Sequence, residues 1–306
     1  MKKLISLTLS LLMAGLLSAQ NIDIRIEGRE SLNIETGLDL DRLSMAIKGS
    51  FTPKLSFDYF QHFNRHVSQK EILAAADRLF LCYAPTPHWS FKAGKIISAF
   101  GSFEYDDAPI DVYFYTRHFS NGSFFLPGLD ITYSFNEGKD AITAQMTKGN
   151  YSERKQYDIF SYHLMWTGHH GWLNTFYSAN LHDMQDGTKQ FQLAFGHRVS
   201  LEIFSFDFDI CNRYYSARRN GFLKSGFMMA KATYIIGPYA DLQLKASYDF
   251  DPIIGNTSQA GGAIEFYPYK GSRDFRIHLQ GNYLTSENHT TVTIGLKWNC
   301  HIFTKG

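Results

Sequence analysis

Residues Glu202–Arg213 read EIFSFDFDICNR, and aromatic and acidic side chains alternate along them. Successive side chains of an extended strand point to opposite faces of its sheet. A strand here would place Phe206 and Phe208 on one face and the carboxylates of Asp207 and Asp209 on the other. A half-buried strand of a soluble β-sandwich has the same pattern, so the remaining sequence must indicate what the apolar face contacts.

The same alternation, with a period of two, recurs almost to the end of the chain. Residues 240–251, for example, read ADLQLKASYDFD. Segments of this kind are about ten residues long, which is the length of a tilted strand that crosses a membrane. Counting them with the turns between them predicts sixteen strands, with an error of about two. The predicted strands cover residues 22–35, 43–52, 54–65, 78–86, 89–100, 129–136, 140–150, 157–168, 172–182, 189–199, 203–215, 222–236, 239–251, 259–269, 274–285 and 290–303.

Sixteen strands of this length are too many for a sandwich that pairs its apolar faces. A transmembrane antiparallel β-barrel offers lipid to each apolar face and a water-filled lumen to each polar face. After residue 20, no run approaches the roughly 20 apolar residues of a membrane-spanning helix. The sequence therefore predicts an all-β transmembrane barrel, with a large soluble β-protein of the periplasm or cell surface as the alternative.

The N-terminus has the layout of a secretory signal peptide. Lys2 and Lys3 precede an apolar run over residues 4–17, which ends at Ser18 and Ala19. Such a run is too short for a convincing membrane span, and small residues at its end are typical of a cleavage site. We therefore expect a signal peptide at 1–19 and an outer-membrane β-barrel at 20–306.

The overall charge is balanced, with 30 basic and 29 acidic residues. Nucleic-acid binding depends on a basic surface, so this balance argues against a nucleic-acid partner. The histidines and cysteines have no spacing typical of a zinc site, and the paired aspartates lack the glycine and distal glutamate of a calcium loop. The sequence predicts no metal and no cofactor.

One connection is much longer than the others and lacks sustained alternation. It covers residues 102–128 and reads SFEYDDAPIDVYFYTRHFSNGSFFLPG. Long loops in compact proteins are usually functional or disordered, and the many aromatic residues argue against disorder. We expect this loop to fold into the barrel and narrow the pore. A second, shorter segment at 69–77 (QKEILAAAD) predicts a helical turn within another loop.

The stretch from Leu79 to Tyr115 resembles the phosphate-selective porin O/P family, in the form common among outer-membrane proteins of Bacteroidota. The resemblance rests on a strand that ends in a Gly-Lys pair, then a glycine-aromatic-acidic turn and an Asp-x-Tyr loop. These positions are Gly94-Lys95, Gly101, Phe103-Glu104-Tyr105, Pro109 and Asp111-Val112-Tyr113. The resemblance implies a sixteen-stranded, homotrimeric porin of the bacterial outer membrane. Such a porin contacts outer-membrane lipid and passes small hydrophilic solutes or ions, and named members favour phosphate through basic residues that line the pore.

Charged residues in the long loop are candidates for a pore constriction, because rings of charge set which ions pass a narrow throat. The candidates are Glu104, Asp106, Asp107, Asp111, Arg117 and His118. The alternative for each is a solvated outer loop with no role in selection.

The polar parity of the strands predicts further lumen-lining residues of both signs. The basic positions are Arg25, Arg29, Lys231, Lys245, Arg276 and Lys297. The acidic positions are Asp207, Asp209, Asp241 and Asp249. Mixed signs favour a weakly selective diffusion channel without enzymatic activity. The resemblance to the porin family implies that anions such as phosphate are among its solutes.

A second hypothesis comes from the sequence HFSNG at residues 118–122, which is similar to the His-x-Ser-Asn-Gly motif of outer-membrane phospholipase A. On a strand, His118 and Ser120 would share a face, so that the imidazole could accept the serine proton. The position of the lipase asparagine is Thr132 here. An outer-membrane hydrolase that uses His118 and Ser120 is therefore the alternative function.

Overall fold

The structure is a computed structural model of the chain. It describes residues 19–63, 76–121, 124–149, 159–215, 223–251, 255–269 and 272–305. The predicted signal peptide at 1–19 and the helical turn at 69–77 lie almost entirely outside these ranges.

The described part of the chain forms sixteen β-strands that close into one barrel. The prediction of the fold class is confirmed. The strands, β1 to β16, cover Asn21–Asn33, Gly37–Thr52, Leu55–His62, Arg78–Tyr83, Trp89–Ile97, Phe125–Phe135, Asp140–Lys148, Phe160–His170, Leu173–Asp183, Lys189–Ser200, Phe204–Tyr215, Gly226–Gly237, Ala240–Phe250, Thr257–Phe266, Phe275–Leu284 and His289–Lys305.

Each strand pairs antiparallel with its neighbours in sequence, and β1 closes the barrel by pairing with β16. Gly28 lies opposite Trp298, and Asn33 lies opposite Thr293, so the first and last strands pair over almost the whole of β1. Closure leaves no exposed sheet edge, and every backbone group within the wall has a partner strand. A barrel built in this way can stand in a hydrocarbon environment.

The alternation within β11 (Phe204–Tyr215) separates two faces as the sequence predicts. Phe206 and Phe208 are exposed on the outside, whereas Asp207 and Asp209 are fully buried on the inside. The same division holds in β13 (Ala240–Phe250), where Leu244 is exposed and Lys245 is buried. The outer face is suited to lipid, and the inner face meets a segment of the chain that occupies the lumen.

That segment is the connection between β5 and β6, residues 98–124, which we call the pore loop. It contains helix α1 (Phe103–Asp106), a 3₁₀ turn (Pro109–Asp111) and helix α2 (Arg117–Asn121); a further 3₁₀ turn, Asn136–Gly138, joins β6 to β7. The predicted loop at 102–128 is displaced, because β5 ends at Ile97 and β6 already begins at Phe125. Among the described residues, no helix is both long and apolar enough to cross a membrane.

The pore loop has a first arm, which contains α1, and a return arm, which contains α2. A small apolar core inside the barrel joins the two arms. Phe100, Tyr105 and Phe124 of the loop pack with inner wall residues of β10, β11 and β12. Phe119 packs against the same cluster from helix α2. Burial of these rings stabilises the loop in its inward position. The wall residues of this cluster are Ala194, Cys211, Phe227 and Met229.

Candidate functional site

The pore loop enters the lumen over a glycine that touches the wall. The amide of Gly101 donates to Ser178 Oγ at 2.9 Å. A Cβ atom at this position would lie 2.7 Å from the carbonyl oxygens of both Phe176 and Ala194. Such contacts with backbone atoms cannot be relieved by side-chain rotation, so the close approach requires glycine.

Asp209 of β11 anchors the first turn of helix α1. Its carboxylate accepts hydrogen bonds from Ser102 Oγ at 2.6 Å, from the Phe103 amide at 3.1 Å and from the Glu104 amide at 3.2 Å. These groups include amides that a helix leaves without an internal partner. The strand carboxylate therefore adds a cap from the wall to the one that the loop supplies itself, since Ser102 Oγ also accepts from the Glu104 amide at 3.2 Å.

A charged cluster lies where the end of α1 meets β10, β11 and β12. Arg198 Nε donates to Asp207 Oδ1 at 2.7 Å, and Arg198 Nη2 donates to Asp207 Oδ2 at 2.9 Å and to Asp107 at 2.7 Å. Lys231 is 2.8 Å from Asp207 and also bonds Asp107. Asp106 reaches Arg198 at 3.5 Å. Two basic wall residues thus hold the two adjacent aspartates of the loop.

Glu104 joins the two arms of the loop to each other and to β13. Its carboxylate accepts from the Thr116 amide at 2.8 Å and from the Thr116 hydroxyl at 2.7 Å. Lys245 of β13 donates to the same carboxylate at 2.6 Å and to the Phe114 carbonyl at 2.7 Å. Glu104 and Lys245 are both buried. This pair therefore holds the two arms of the loop together and fixes them to β13.

A second charged cluster holds the 3₁₀ turn against β14, β15 and β16. Asp111 lies 2.6 Å from Arg276 and 3.4 Å from Lys297. Glu265 of β14 lies 3.1 Å from Arg276, bonds Lys297 and accepts from the Tyr113 hydroxyl at 2.5 Å. Two carboxylates and two basic groups compensate each other here.

Arg29 of β1 fixes the far end of the first arm. Its Nη1 atom donates to the carbonyls of Ile110 at 3.1 Å and Val112 at 2.9 Å, and its Nε atom lies 3.3 Å from Asp41. The guanidinium also lies 5.5 Å from the centre of the Tyr113 ring, within cation–π range. Arg29 therefore holds the loop through two backbone carbonyls and an aromatic ring rather than through an ion pair.

The return arm is held by Asp249 of β13. Its carboxylate accepts from the amides of Arg117 at 3.2 Å and His118 at 3.1 Å, at the start of α2. Arg117 also donates to Thr257 at 3.1 Å. The His118 ring stacks on Phe100 and Phe227, with centroids 5.3 Å and 5.0 Å away. Burial and nearby Arg213 hold the pKa of His118 well below its ordinary value, so the ring is neutral.

This geometry corrects the premise of the hydrolase hypothesis. His118 and Ser120 lie on helix α2 and not on a strand, so side chains two positions apart diverge instead of sharing a face. The Ser120 hydroxyl donates to the Thr116 carbonyl at 3.2 Å. The expected serine–histidine pairing is wrong for this conformation.

The predicted site residues fall into two groups. All six loop candidates and most of the wall candidates meet at the contact between the pore loop and the wall. Arg25 pairs instead with Asp23 at 3.8 Å, with both side chains substantially exposed. Asp241 bonds Tyr267 and lies 2.6 Å from Arg273, in the connection after β14. These two residues take part in separate pairs at other places on the barrel.

Sequence reasoning missed Arg198 and Glu265, which are central to the two charged clusters. Arg198 has the same parity as the buried Gln190 and Gln192 of β10, and Glu265 has the parity of the buried Ala263 of β14. Strict parity would have placed both on the inner face.

Within the described ranges, no group of three or more histidine, cysteine, aspartate or glutamate side chains is placed to hold a metal ion.

Comparison with known proteins identifies the family. The model of the family "phosphate-selective porin O and P" matches residues 19–200, which is more than half of the chain. No curated protein matches this chain. Among solved structures, an anion-selective porin from Comamonas acidovorans superposes with a TM-score of 0.64 at 10% identity, covering 92% of this chain and 98% of that one.

Two structures of OmpT, an outer membrane protein of Vibrio cholerae, are also similar. A loop L8 deletion mutant has a TM-score of 0.62 at 11% identity and covers 92% of this chain and 100% of that one. The in-vitro folded protein in its trimer form has a TM-score of 0.57 at 9% identity, covering 92% and 98%. At such low sequence identities the structural similarities support the fold alone, whereas the family match also supports the function. The chain belongs to the phosphate-selective porin O and P family and is a diffusion channel of the bacterial outer membrane.

Proposed function

We propose that this porin passes small hydrophilic solutes with weak ion selectivity, through an opening that the pore loop narrows. The observation that carries the proposal is the pairing of the basic wall residues. Lys231, Lys245, Arg276 and Lys297 each contact a carboxylate of the pore loop or of a neighbouring strand.

This pairing bears on the phosphate preference for which the family is named. A phosphate ion is recognised by several charge-assisted hydrogen bonds from basic side chains. Lys245 already donates to Glu104 and Phe114, and it lies buried behind the loop. To bind phosphate, such a lysine would have to give up a carboxylate partner, so binding would gain little. We therefore place phosphate among the permeating solutes rather than as a tightly bound one.

The constriction candidates have different roles in this proposal. Glu104 holds the loop together and has no free edge towards water, whereas Asp106 and Asp111 are partly exposed. We assign ion discrimination to the exposed pair. Glu104, Asp107 and His118 determine where the loop lies.

The decisive experiment is the reversal potential of the refolded protein in a planar bilayer under a salt gradient. Phosphate is then titrated into the bath. A steady conductance with a reversal potential close to zero, and no block by phosphate, supports the proposal. A strong anion preference that phosphate blocks would contradict weak selectivity, and an absence of conductance would contradict the pore itself.

Processing and assembly complete the proposal. Residues 1–19 are removed during export, residues 20–306 form the mature barrel, and three copies assemble into a homotrimer. The N-terminal layout of the sequence and the trimer form of the OmpT relative support these two points. N-terminal sequencing of the exported protein tests the first, and chemical cross-linking in detergent tests the second.

The family match also supports a channel without a catalytic centre. Treatment with an active-site phosphonate checks this directly. A labelled Ser120 together with release of fatty acid from phospholipid would overturn it.

A further inference from the structure

One sector of the inner barrel wall, on β14, β15 and β16, consists of amide, hydroxyl and imidazole side chains. In the strand register Gln280 lies opposite Thr293, and Asn282 lies opposite Thr291. We call this sector the neutral panel, and its members are Gln259, His278, Gln280, Asn282, Thr291 and Thr293.

The charged residues at the borders of the neutral panel are already paired. Lys245 of β13 donates to Glu104 of the pore loop, and Lys297 of β16 bonds Glu265 of β14. Their charges are therefore compensated, and the panel between them offers hydrogen bonds to a solute rather than a net charge.

The neutral panel lies on the approach to the pore loop. It is at the end of the barrel where β15 turns into β16, and the pore loop starts from the same end because it also follows an odd-numbered strand. At this end β3 and β4 are separated by residues 63–77, whereas at the opposite end β2 and β3 are separated by residues 53–54. Longer connections are typical of the extracellular side of a barrel. A solute from outside therefore reaches the panel before it passes the pore loop.

The hydrogen-bonding capacity of the panel is not used within the described part of the chain. Asn282 Oδ1, Thr293 Oγ and both ring nitrogens of His278 are buried and have no hydrogen-bond partner there. Gln259 and Gln280 are partly exposed, and their side chains form no hydrogen bond with a described residue. Polar atoms left unpaired in this way cost free energy, which a solute with matching donors and acceptors can recover.

The inner wall of β7 to β9 also has uncharged polar side chains, but these are paired with each other or with the loop. Gln145 accepts from the Ala99 amide at 2.8 Å. His163 lies 3.0 Å from Asn180, which donates to Ser178 at 3.0 Å. The polar groups of that wall stabilise the protein itself, whereas those of the neutral panel remain available.

Two aromatic rings of the pore loop border the neutral panel. The Tyr113 ring lies 5.4 Å from the His278 ring, measured between centroids. The Phe114 ring comes so close to Gly261 that a Cβ atom there would lie 2.9 Å from it and 2.8 Å from Asn282 Cβ. The panel thus combines amide and hydroxyl groups with apolar rings at its edge, which is a common composition of sites for small organic ligands.

This composition fits an uncharged solute with many hydroxyl groups. Each hydroxyl of such a solute donates and accepts, as do the amide and hydroxyl side chains of the panel, and its C–H faces can pack against the rings. An ion finds no opposite charge there that is not already paired. We infer that the neutral panel binds mono- or disaccharides on their way to the pore loop. This inference rests on the proposed function, because it needs an open passage in which the panel is reached.

The test measures the ion current through the refolded protein in a planar bilayer while maltose is titrated into both chambers. A bound sugar displaces ions from the lumen, so the current should fall as the panel fills. Hexaethylene glycol, which has hydrogen-bond donors only at its two ends, controls for obstruction and viscosity. The variants Q280M/N282L and T293V remove hydrogen-bonding groups at nearly constant volume. The matched control is T233V, the same exchange at a partly exposed inner position of β12 outside the panel.

We expect maltose to reduce the wild-type current with half-saturation on the order of 10 mM, the weak affinity that a few hydrogen bonds in water supply. The half-saturating concentration should rise about tenfold in Q280M/N282L and about threefold in T293V, and it should stay unchanged in T233V. A reduction that hexaethylene glycol reproduces, or that survives unchanged in both panel variants, would overturn the inference. A steady current that maltose does not reduce would also overturn it and leave the proposed channel intact, whereas an absence of current in the wild-type protein would remove both.

Discussion

Arg198 and Asp207 form a two-pronged ion pair on the inner wall, with nitrogen–oxygen distances of 2.7 Å and 2.9 Å. The same guanidinium lies 4.4 Å from the centre of the Phe103 ring and 2.7 Å from Asp107. One side chain of β10 thus contacts the first residue of helix α1 and the residue that follows the helix, while Asp207 of β11 fixes its guanidinium. The geometry needs a planar guanidinium, and lysine would not reproduce it.

Replacement Arg198→Gln should loosen the end of α1 and shift the pore towards cations. Asp207 is almost fully buried, and a buried carboxylate that loses a partner costs about 1–3 kcal/mol. Lys231 remains as its second partner, so the barrel should still assemble. Single-channel recording should show a noisier current, and the reversal potential should move in the cation-selective direction. Arg273→Gln is the control, because the Arg273 side chain is exposed and its buried partner Asp241 keeps the hydrogen bond from the Tyr267 hydroxyl. An unchanged current in R198Q would contradict this role.

Replacement Asp209→Ala should release the first turn of α1 from the wall. The substitution removes an acceptor of three hydrogen bonds, and loss of a helix cap typically costs about 1 kcal/mol. Limited proteolysis should cleave the pore loop faster in D209A than in the wild-type protein. Asp209→Asn keeps one acceptor oxygen and should lie between them. Equal cleavage of all three proteins would argue against the anchor.

Replacement Gly101→Ala should displace the first arm of the loop, because the added Cβ would meet two backbone oxygens at 2.7 Å. Cys211, a free thiol buried in the apolar core of the lumen, reports this movement. In a background with Cys82 and Cys300 replaced by serine, we expect maleimide to label Cys211 slowly in the parent and rapidly in G101A. Ala108→Ser changes an exposed loop position and is the matched control. Slow labelling in both variants would show that the wall tolerates the methyl group.

Acid should loosen the return arm of the loop through His118. Burial lowers the pKa of this ring below the 6.5 that a released loop would have. Burial of the neutral ring therefore stabilises the inward position of the loop. This stability is fully present above about pH 6.5 and is lost as pH falls towards the depressed pKa. Channel noise should increase between about pH 7 and pH 5. His118→Phe keeps the stacking with Phe100 and Phe227 and should remove this dependence. A pH response that persists in H118F would assign it to other groups.

The barrel itself was predictable because its signal is local. Alternation along each strand marks the wall, and a closed barrel satisfies every strand whose two faces differ. The faces of Phe206 and Asp207 followed directly from their neighbours in sequence. The same rule would have placed Arg198 and Glu265 on the inner face, but neither stands in an alternation as regular as that of β11.

The partners of the inner residues were not predictable, because they depend on the path of the pore loop through the lumen. Ser102 meets Asp209 across 107 residues, and Asp111 meets Arg276 across 165. The sequence shows that Lys231 and Lys245 face inward, but it does not show that carboxylates of the loop form ion pairs with them. Periodicity therefore determined which residues line the barrel. Only the tertiary structure decided which of their charges remain available to a solute, because that depends on contacts between segments distant in the chain.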